Sequence, residues 1–494
     1  RCHTTPRTHK LRMPDRLPLH PPHQFPKNKM GSATSSDQVS RDALDIWRYG
    51  VEAVRADRVV ESQSSWDGRW LTIADKTWDL KGCARLILVG AGKACDGMLL
   101  GLVRMLQKSG RPFPSLAGWF NIPERTAPWH SDLPGGITLC QARPPGMNQP
   151  TEKVVSGTNE ILKLVSNAQR NDCVIALISG GGSALLCSPI DGLSLLEKVE
   201  LTKALSDSGA NIEQLNSVRR CLSNVKGGGL ARACNSKHLI TCILSDVLGD
   251  PLEIIASGPT VLTPEPDAAY ALKVLDTIFP NQFANIRTLL QKALHQNRLQ
   301  NKTNPRCELD HVLLANNATA VDAAGQKAVE LGYRYWMHCA PKCEGDVQSL
   351  GEKIATQIVA TSTQEHIDCL ISGGEPTVAL PSLETRGTGG RNQQLALSVL
   401  LHLQQDPAWD LHQDFAFISG GTDGEDGPTD AAGAIINRMV IENMNQLGLN
   451  PADYFQRCDA YRFFEQTQGL LITGPTWTNV CDLRIAVLSH SKPS

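Results

Sequence analysis

The stretch LILVGAGKA, residues 86–94, joins an apolar run to a glycine-rich turn. A short apolar run bounded by glycine is typical of a buried strand. Beyond the turn, Leu99, Leu102 and Leu106 recur at spacings of three and four, which places them on one face of a helix. The stretch therefore predicts a strand, a turn and a helix in succession.

The same succession recurs along the chain. Five further apolar runs each precede a turn or a helix: 174–178 before SGGGSALL (179–186), 239–244 before SDVLGDP (245–251), 312–314 before a helix from Asn317 to about Leu331, 369–371 before SGGEPTV (372–378), and 415–418 before SGGTDGEDGPTDAAGA (419–434). Strands that alternate with helices favour parallel sheets covered on both faces, with functional turns at the carboxyl ends of the strands. We therefore expect an α/β fold with mostly parallel sheets covered by helices.

The length of 494 residues predicts more than one domain. A polar, Gln- and Asn-rich segment near residues 291–308 is the best linker candidate. We expect a basic disordered leader at 1–36, a Rossmann-like N-terminal α/β domain at 37–300 and a C-terminal α/β domain at 301–494. The cleft between the two domains is the default ligand site.

Composition excludes several classes of protein. With 48 basic and 50 acidic residues the formal net charge is −2, so we expect no nucleic-acid or membrane partner, and the apolar runs are too short to span a bilayer. The 15 cysteines are dispersed. Cys173, Cys242 and Cys369 lie within apolar runs, which favours free buried thiols and a reducing compartment. The oligomeric state stays open between monomer and dimer.

Residues 1–36 contain seven Lys or Arg and one acid, Asp15, among many Pro and His. Such a composition opposes a packed core. We favour a disordered or artefactual leader, with Met30 as a candidate start, and a cytoplasmic location. A mitochondrial presequence is the alternative, although the prolines oppose the amphipathic helix that such a signal needs.

Glycine turns at helix starts bind anions, because they present backbone N–H groups and the positive end of the helix dipole. In GAGKA, Lys93 follows Gly90 and Gly92, where a mobile ammonium is placed to follow charge on a transferring phosphoryl group. The alternative is a solvated surface lysine. The turn is neither a P-loop nor a dinucleotide-binding turn, because Cys95 stands where the latter needs a small residue.

Acidic residues crowd two of the other turns. They are Asp246 and Asp250 in SDVLGDP, and Asp423, Glu425, Asp426 and Asp430 in SGGTDGEDGPTDAAGA. Carboxylates this close repel one another unless they share a proton or a cation, and Mg²⁺ that bridges nucleotide phosphates is a common reason for such a site. For Asp430, capping of a following helix is the alternative.

Basic residues mark two further motifs. Arg391 and Asn392 follow GTGG. The guanidinium of Arg391 offers a planar fork for a carboxylate or a phosphoryl oxygen, with a structural salt bridge across domains as the alternative. In SVRRCLSNVKGGGLA, residues 217–231, Arg219, Arg220 and Lys226 belong either to an anion clamp or to a basic helix face.

Eight motifs follow one another in a fixed order. They are GAGKA, SGGGSALL, SVRRCLSNVKGGGLA, SDVLGDPLEIIASGPT, SGGEPTV, GTGGRNQQLAL, GGTDGEDGPTDAAGA and TGPTWTNVCDL. This series resembles the motifs of glycerate 2-kinases of the MOFRL type over about residues 40–490. The resemblance implies a two-domain enzyme, with a MOFRL-type C-terminal domain, that transfers the γ-phosphoryl group of ATP, with Mg²⁺, to the 2-hydroxyl of D-glycerate.

The same resemblance implies roles for particular residues. Lys93 would stabilise the transferring phosphoryl group, and Arg391 would hold charge on the substrate or the transition state. Asp246 and Asp423 would bind the metal or orient the hydroxyl, without a division of these roles between them. The other candidates are the ATP or phosphate contacts Gly90, Gly92, Gly180, Gly181, Gly182, Ser183 and Lys226, and the substrate contacts Arg391, Asn392 and Glu375.

The last motif departs from the family pattern. Trp477 stands where glycine is common, and Cys481 stands where a polar or other residue is usual. An indole there would narrow the mouth of the cleft, or strain the turn if the backbone needs a positive φ. The alternatives to a kinase are a hydroxypyruvate or 2-hydroxy-acid oxidoreductase and a non-catalytic sugar-acid-binding protein.

Overall fold

The computed structural model describes residues 35–124, 133–144, 147, 149–262, 267–297, 306–363, 366–382, 384–410 and 413–489. Its strands are β1 (Ser64–Trp66), β2 (Trp70–Ile73), β3 (Lys76–Asp79), β4 (Arg85–Ala91), β5 (Ser115–Pro123), β6 (Ile137–Arg143), β7 (Cys173–Ile178), β8 (His238–Leu244), β9 (Glu308–Ala315), β10 (Tyr335–Cys339), β11 (Cys369–Gly374), β12 (Phe415–Gly421), β13 (Gly433–Asn437), β14 (Leu470–Leu471) and β15 (Asp482–Leu488).

Helices cover the sheets on both sides. They are α1 (Ser35–Ala53), α2 (Ala56–Gln63), α3 (Cys95–Lys108), α4 (Glu152–Ser166), α5 (Gly182–Leu185), α6 (Leu195–Asp207), α7 (Ile212–Cys221), α8 (Gly229–Ala233), α9 (Ala268–Ile278), α10 (Ala284–Asn297), α11 (Asn317–Glu330), α12 (Val347–Ser362), α13 (Arg391–Gln405), α14 (Arg438–Leu447), α15 (Pro451–Gln456) and α16 (Ala460–Thr467). None of the described helices is long and apolar enough to cross a membrane.

Six parallel strands form the first large sheet, in the order β6-β5-β4-β7-β8-β9. Every residue of β7, CVIALI, is buried, because helices cover both faces of a parallel sheet. β4, β7 and β8 are adjacent and parallel, so the GAGKA, SGGGS and SDVLGD turns that follow them meet at one edge. The predicted Rossmann-like sheet is confirmed here.

The second large sheet is mixed, which corrects the prediction that each sheet is mostly parallel. Its order is β10-β11-β15-β12-β13-β14, and of these neighbouring pairs only β10 and β11 run parallel. β15 starts with Asp482 opposite Gly374 and Gly421, the last residues of β11 and β12. Because the chain reaches β15 at the edge where its two neighbours end, β15 has to run against both.

The turn after β12 leads into β13 rather than into the expected helix. Gly433 pairs with Gly420 across this antiparallel connection, and a Cβ on Gly433 would lie 2.0 Å from the Ser419 carbonyl oxygen. Asp430 therefore caps no helix, and its Oδ1 instead accepts a hydrogen bond from the Tyr461 hydroxyl at 2.8 Å.

Sheet membership differs from the predicted division at residue 300. β9 pairs with β8 in the first sheet, although it lies beyond that position, because Val312 and Leu314 are buried in the first core. α1 lies before residue 300 but packs on the second sheet, where Trp47 Nε1 donates to the Leu483 carbonyl at 3.0 Å. Where the domains divide stays a prediction. Residues 1–34 of the predicted leader and 298–305 of the predicted linker lie outside the described residues.

The cysteines of the described chain are free thiols. Cys173, Cys242 and Cys369 are buried within strands, as predicted. Burial raises the pKa of the Cys242 thiol to about 12, so this side chain packs as a small neutral group.

Candidate active site

Glycines allow the first two turns of the parallel sheet to touch. Gly92 lies at φ +140°, and a Cβ there would come within 2.2 Å of the Ser179 hydroxyl oxygen. Beyond it, the Lys93 amide donates to the Gly180 carbonyl at 2.8 Å. The GAGKA and SGGGS turns therefore form one packed unit, which a larger residue at position 92 would separate.

The other predicted phosphate-binding glycines are also closely packed. A Cβ on Gly90 would lie 2.5 Å from the Leu177 carbonyl oxygen, and one on Gly182 would lie 2.8 Å from the Ala256 side chain. Gly181 has φ +75°, a backbone conformation that residues other than glycine rarely adopt. The close packing of neighbouring segments and the positive φ are thus sufficient to explain why glycine occupies these positions, even without a ligand.

Lys93 connects the first sheet to the second. Its Nζ donates to Asp423 Oδ2 and to Glu425 Oε2, both at 2.7 Å, in the turn after β12. The side chain is 22% exposed, so the alternative of a solvated surface lysine is wrong. Burial opposes its charge, but the two carboxylates outweigh burial and raise the pKa of the Lys93 ammonium.

Asp246 lies at the end of β8 against the SGGGS turn. Its Oδ2 accepts a hydrogen bond from the Gly181 amide at 3.0 Å and from Asn479 Nδ2 at 3.4 Å. Burial raises the pKa of Asp246 to about 6, and the negative charge of Glu375 adds to the rise. The Gly181 hydrogen bond and the ammonium of Lys93 act in the opposite direction.

Arg391 is the first residue of α13 and is held on both sides by carboxylates. Its Nε and Nη2 donate to Asp482 at 2.9 and 3.1 Å, and its Nη1 donates to Glu375 at 2.5 Å. Asp482 is fully buried. Burial disfavours the charge of Arg391, but these carboxylates more than compensate and raise the pKa of the guanidinium. Glu375 and Asp482 lie on the same side of the predicted division as Arg391, so this is not the salt bridge across domains given as its alternative role.

Asn392 turns away from these groups. Its Oδ1 accepts from the Ser419 hydroxyl at 2.7 Å, and its backbone amide donates to Asp426 Oδ1 at 3.0 Å. Asp426 also accepts from the Gln393 amide, so it caps the start of α13. Asn392 is buried, and both its side-chain oxygen and its backbone amide are used inside the protein. The structure therefore does not bring this predicted substrate contact to the site.

Ser183 and Lys226 meet through a third residue. Lys226 Nζ donates to Ser257 Oγ at 3.0 Å, and Ser257 Oγ lies 2.9 Å from Ser183 Oγ. Ser257 and its neighbour Ala256 have φ of +66° and +49°, so the segment that carries this serine has a strained backbone. Lys226 thus lies beside the SGGGS turn, as the sequence predicts.

Sequence reasoning missed the partners rather than the central residues. The partners are Glu425 for Lys93, Asp482 for Arg391, Asn479 for Asp246 and Ser257 for Lys226. All four lie within motifs already singled out, Ser257 in the IASGP part of SDVLGDPLEIIASGPT. Nothing in their spacing specifies which cation or carboxylate each one meets.

The two departures from the family pattern both adopt left-handed backbone. Trp477 has φ +56° and Cys481 has φ +67°, so the strain expected for a non-glycine residue is present. The Trp477 carbonyl accepts from the Ala56 amide at 3.1 Å, and its ring lies 5.5 Å from the Arg55 guanidinium. Cys481 Sγ donates to the Asp246 carbonyl at 2.9 Å, so this residue supports the acidic turn directly.

Carboxylates outnumber cations where these turns meet. The groups are Asp246, Glu375, Asp423, Glu425 and Asp482 with Lys93 and Arg391. In the part of the chain that is described, no three His, Cys, Asp or Glu side chains are grouped to hold a metal ion by themselves. The excess of oxygen donors nevertheless fits Mg²⁺, which proteins usually hold by one or two carboxylates together with substrate phosphates.

Positioned amides and fixed cations serve the transfer of a phosphoryl group, because that reaction needs alignment and charge stabilisation more than covalent help. The parallel sheet with its glycine turns, and the cations and carboxylates gathered beside them, therefore indicate a phosphotransferase.

Comparison with known proteins narrows this class. Residues 42–291 match the family described as "Domain of unknown function (DUF4147)", and residues 368–482 match the MOFRL family. Glycerate kinase of Danio rerio is 32% identical over 91% of this chain and 97% of its own length. D-glycerate 2-kinase of Thermotoga maritima is 32% identical over 92% of this chain and 99% of its own length. The crystal structure of glycerate kinase from Thermotoga maritima superimposes with a TM-score of 0.73 at 31% identity, covering 92% of this chain and 100% of that one. The chain belongs to the glycerate kinase family.

Proposed function

We propose that this protein transfers the γ-phosphoryl group of ATP to the 2-hydroxyl of D-glycerate and releases 2-phosphoglycerate and ADP. The observation that carries the proposal is the position of Lys93, which leaves a turn of the first sheet and ends between Asp423 and Glu425 of the second. Family membership and the name of the Thermotoga maritima relative, D-glycerate 2-kinase, support the same reaction.

Lys93 and Arg391 supply the positive charge. Both side chains are already held by carboxylates, so little reorganisation is needed when charge develops on the phosphoryl group. Lys93 faces the transferring group, and the guanidinium of Arg391 stabilises charge on its oxygens. Glu375, which accepts from Arg391, contacts the substrate from the same side.

Asp246 accepts the proton of the 2-hydroxyl. Its pKa of about 6 is close to the value that suits a general base near neutral pH. The bond between the glycerate oxygen and phosphorus forms as the bond between phosphorus and the ADP oxygen breaks, and the hydroxyl proton passes to the Asp246 carboxylate. Asp423 and Glu425 position Lys93.

Mg²⁺ is part of the proposal. Asp423 is the carboxylate that would hold it, which leaves Asp246 free to accept the proton, and when bound it would neutralise charge on the triphosphate oxygens. Treatment with EDTA is expected to abolish turnover, and added Mg²⁺ to restore it. Full activity in excess EDTA would contradict a metal requirement.

A coupled assay of ADP release with D-glycerate tests the reaction, and phosphorus NMR of the product identifies the phosphorylated carbon. We expect release of ADP only when D-glycerate is present, and a signal from 2-phosphoglycerate. Absence of glycerate-dependent ADP release would overturn the proposal. Kinase names among the relatives favour this reaction over the oxidoreductase alternative, and ADP release would also eliminate a non-catalytic binding protein.

A further inference from the structure

Three cations lie together in the segment between β7 and β8. Lys198 is on α6, Arg219 is on α7, and Lys226 precedes α8. Lys198 is 6% exposed and Lys226 is 3% exposed. We call these three residues the cation cluster. It lies outside the carboxylate-rich group around Lys93 and Arg391.

Among the residues that the structure describes, no Asp or Glu forms an ion pair with any member of the cation cluster. Lys198 Nζ contacts Cys187 Sγ at 3.4 Å, and Lys226 Nζ donates to the neutral hydroxyl of Ser257. A buried charge without a counter-charge is strongly unfavourable. An anion that is absent from the free protein would remove that cost.

The charges within the cation cluster repel one another. Burial lowers the pKa of each member. Repulsion from Arg219 lowers the pKa values of Lys198 and Lys226 further, and Lys198 also acts on Lys226. Cys187 is the remaining titratable group that faces all three. Such an arrangement does not stabilise the fold, so its purpose has to be sought in a ligand.

Two serines connect the cation cluster to the transfer site. Ser257 lies between Lys226 and Ser183, with contacts of 3.0 and 2.9 Å. Ser183 lies two residues after Gly181, whose amide donates to Asp246. A small molecule with an anionic group beside Ser183 therefore has its adjacent atoms near the proposed general base.

The charge of the two regions decides which anion fits. Around Lys93 and Arg391 carboxylates are in excess, which suits a nucleotide with its divalent cation. The cation cluster contains no carboxylate, which suits an anion that arrives without metal. In D-glycerate the carboxylate is attached to the carbon that bears the 2-hydroxyl, so a carboxylate held by the serines would present this hydroxyl next to the turn against which Asp246 lies.

We propose that Arg219 and Lys226, with the hydroxyls of Ser183 and Ser257 as further donors, bind the carboxylate of the acceptor hydroxy acid, and that Lys198 supplies a third positive charge. This inference rests on the proposed function and deepens it. It names the residues that select a carboxylic acid over an uncharged alcohol.

The test compares ligand binding by wild type and Lys226→Met, using thermal unfolding with D-glycerate and separately with ATP and Mg²⁺. The variant is expected to unfold at a higher temperature than wild type without ligand, because a buried unpaired charge is gone. It should lose the stabilisation given by D-glycerate and keep that given by ATP. Arg484→Met, which breaks the buried pair with Glu344, is the control and should unfold at a lower temperature.

Kinetics provide a second measurement. We expect Lys226→Met to raise KM for D-glycerate on the order of 100-fold, with KM for ATP nearly unchanged. We expect the same of Arg219→Gln, which replaces a half-buried residue. Discrimination between D-glycerate and glycerol should fall by a similar factor, because glycerol lacks the carboxylate. Arg219→Gln keeps the test valid if the methionine variant does not fold.

Three outcomes would overturn the inference. The first is unchanged D-glycerate binding in both variants. The second is a variant that loses its thermal stabilisation by ATP but keeps its stabilisation by D-glycerate. The third is an equal loss of activity toward D-glycerate and toward glycerol. Failure of wild type to phosphorylate D-glycerate would instead overturn the proposed function, so the two failures are distinguishable.

Discussion

Lys93 Nζ and Asp423 Oδ2 are 2.7 Å apart although 330 positions separate the two residues in the chain. The pair joins the turn after β4 in the first sheet to the turn after β12 in the second. Glu425 accepts a second hydrogen bond from the same ammonium. The position of Lys93 Nζ therefore depends on both sheets.

Replacement of Lys93 by alanine is expected to lower kcat by about 1000-fold or more, since an aligned charge is lost from the transition state. The protein should still unfold cooperatively. The measurement is steady-state ADP release at saturating D-glycerate. Lys108→Ala, which alters an exposed lysine paired with Glu61, is the matched control and should leave kcat unchanged. Turnover near the wild-type value in Lys93→Ala would remove Lys93 from the mechanism.

The pH dependence of kcat/KM should report Asp246. Because its pKa is raised to about 6 and the proton acceptor must be ionised, activity is expected to fall as pH decreases through about 6. Asp246→Asn should lose most of its activity and this acidic limb with it. An unchanged acidic limb in the residual activity of the variant would assign it to another group.

The same group also predicts an effect on stability. The pKa of Asp246 in the folded state lies above the ordinary value of 3.8, so the folded protein binds more protons than the unfolded chain between these two values. Stability from this group is present below pH 3.8 and lost as pH rises through about 6. Asp246→Asn should therefore raise the free energy of unfolding at pH 7 by on the order of 2 kcal/mol, and by little at pH 3.5. Chemical denaturation at both values measures the difference.

Arg391→Lys is expected to be a severe change despite the retained charge. An ammonium cannot reproduce the two parallel bonds to Asp482, and Asp482 is fully buried, so one carboxylate oxygen loses its donor. We expect kcat to fall on the order of 100-fold and the unfolding temperature to fall as well. A lysine variant with wild-type kcat and stability would show that the planar fork has no role.

Trp477 permits a test of backbone strain. At φ +56°, glycine is unstrained, asparagine tolerates the conformation and alanine does not. All three replacements remove the indole and its contact with Arg55, so their differences isolate the backbone. Unfolding temperatures are expected in the order Gly, Asn, Ala from highest to lowest, with about 1 kcal/mol between Gly and Ala. A higher stability for the alanine variant would refute the strain.

Much of the first sheet is predictable from local sequence. The runs 86–89, 174–178 and 239–244 are apolar and bounded by glycine or serine turns, so each one specifies a buried strand without reference to distant residues. Adjacent parallel strands place their turns at a common edge, which is why GAGKA, SGGGS and SDVLGD were expected together.

The second sheet shows where such reasoning ends. Its strand β15, DLRIAVL, is buried throughout although it contains Asp482 and Arg484. Nothing local distinguishes a strand that runs with its neighbours from one that runs against them. The helix expected after SGGTDGEDGPTDAAGA is β13 for the same reason: the acidic residues predicted a cap, but pairing with β12 determined the structure.

Local sequence is enough to identify β4, β7 and β8 with the turns that follow them, and to place the chain in its family, because these follow from short-range patterns of residue type. It also proposes Lys93, Arg391 and the acidic turns as the site. The partners depend on how the chain folds: Asp423 and Glu425 for Lys93, Asp482 for Arg391, and a cation cluster for which the described residues supply no ion-paired acid. They could not be predicted because charge interactions act through space. Their energy depends on distance and burial, and both are set by how the two sheets pack.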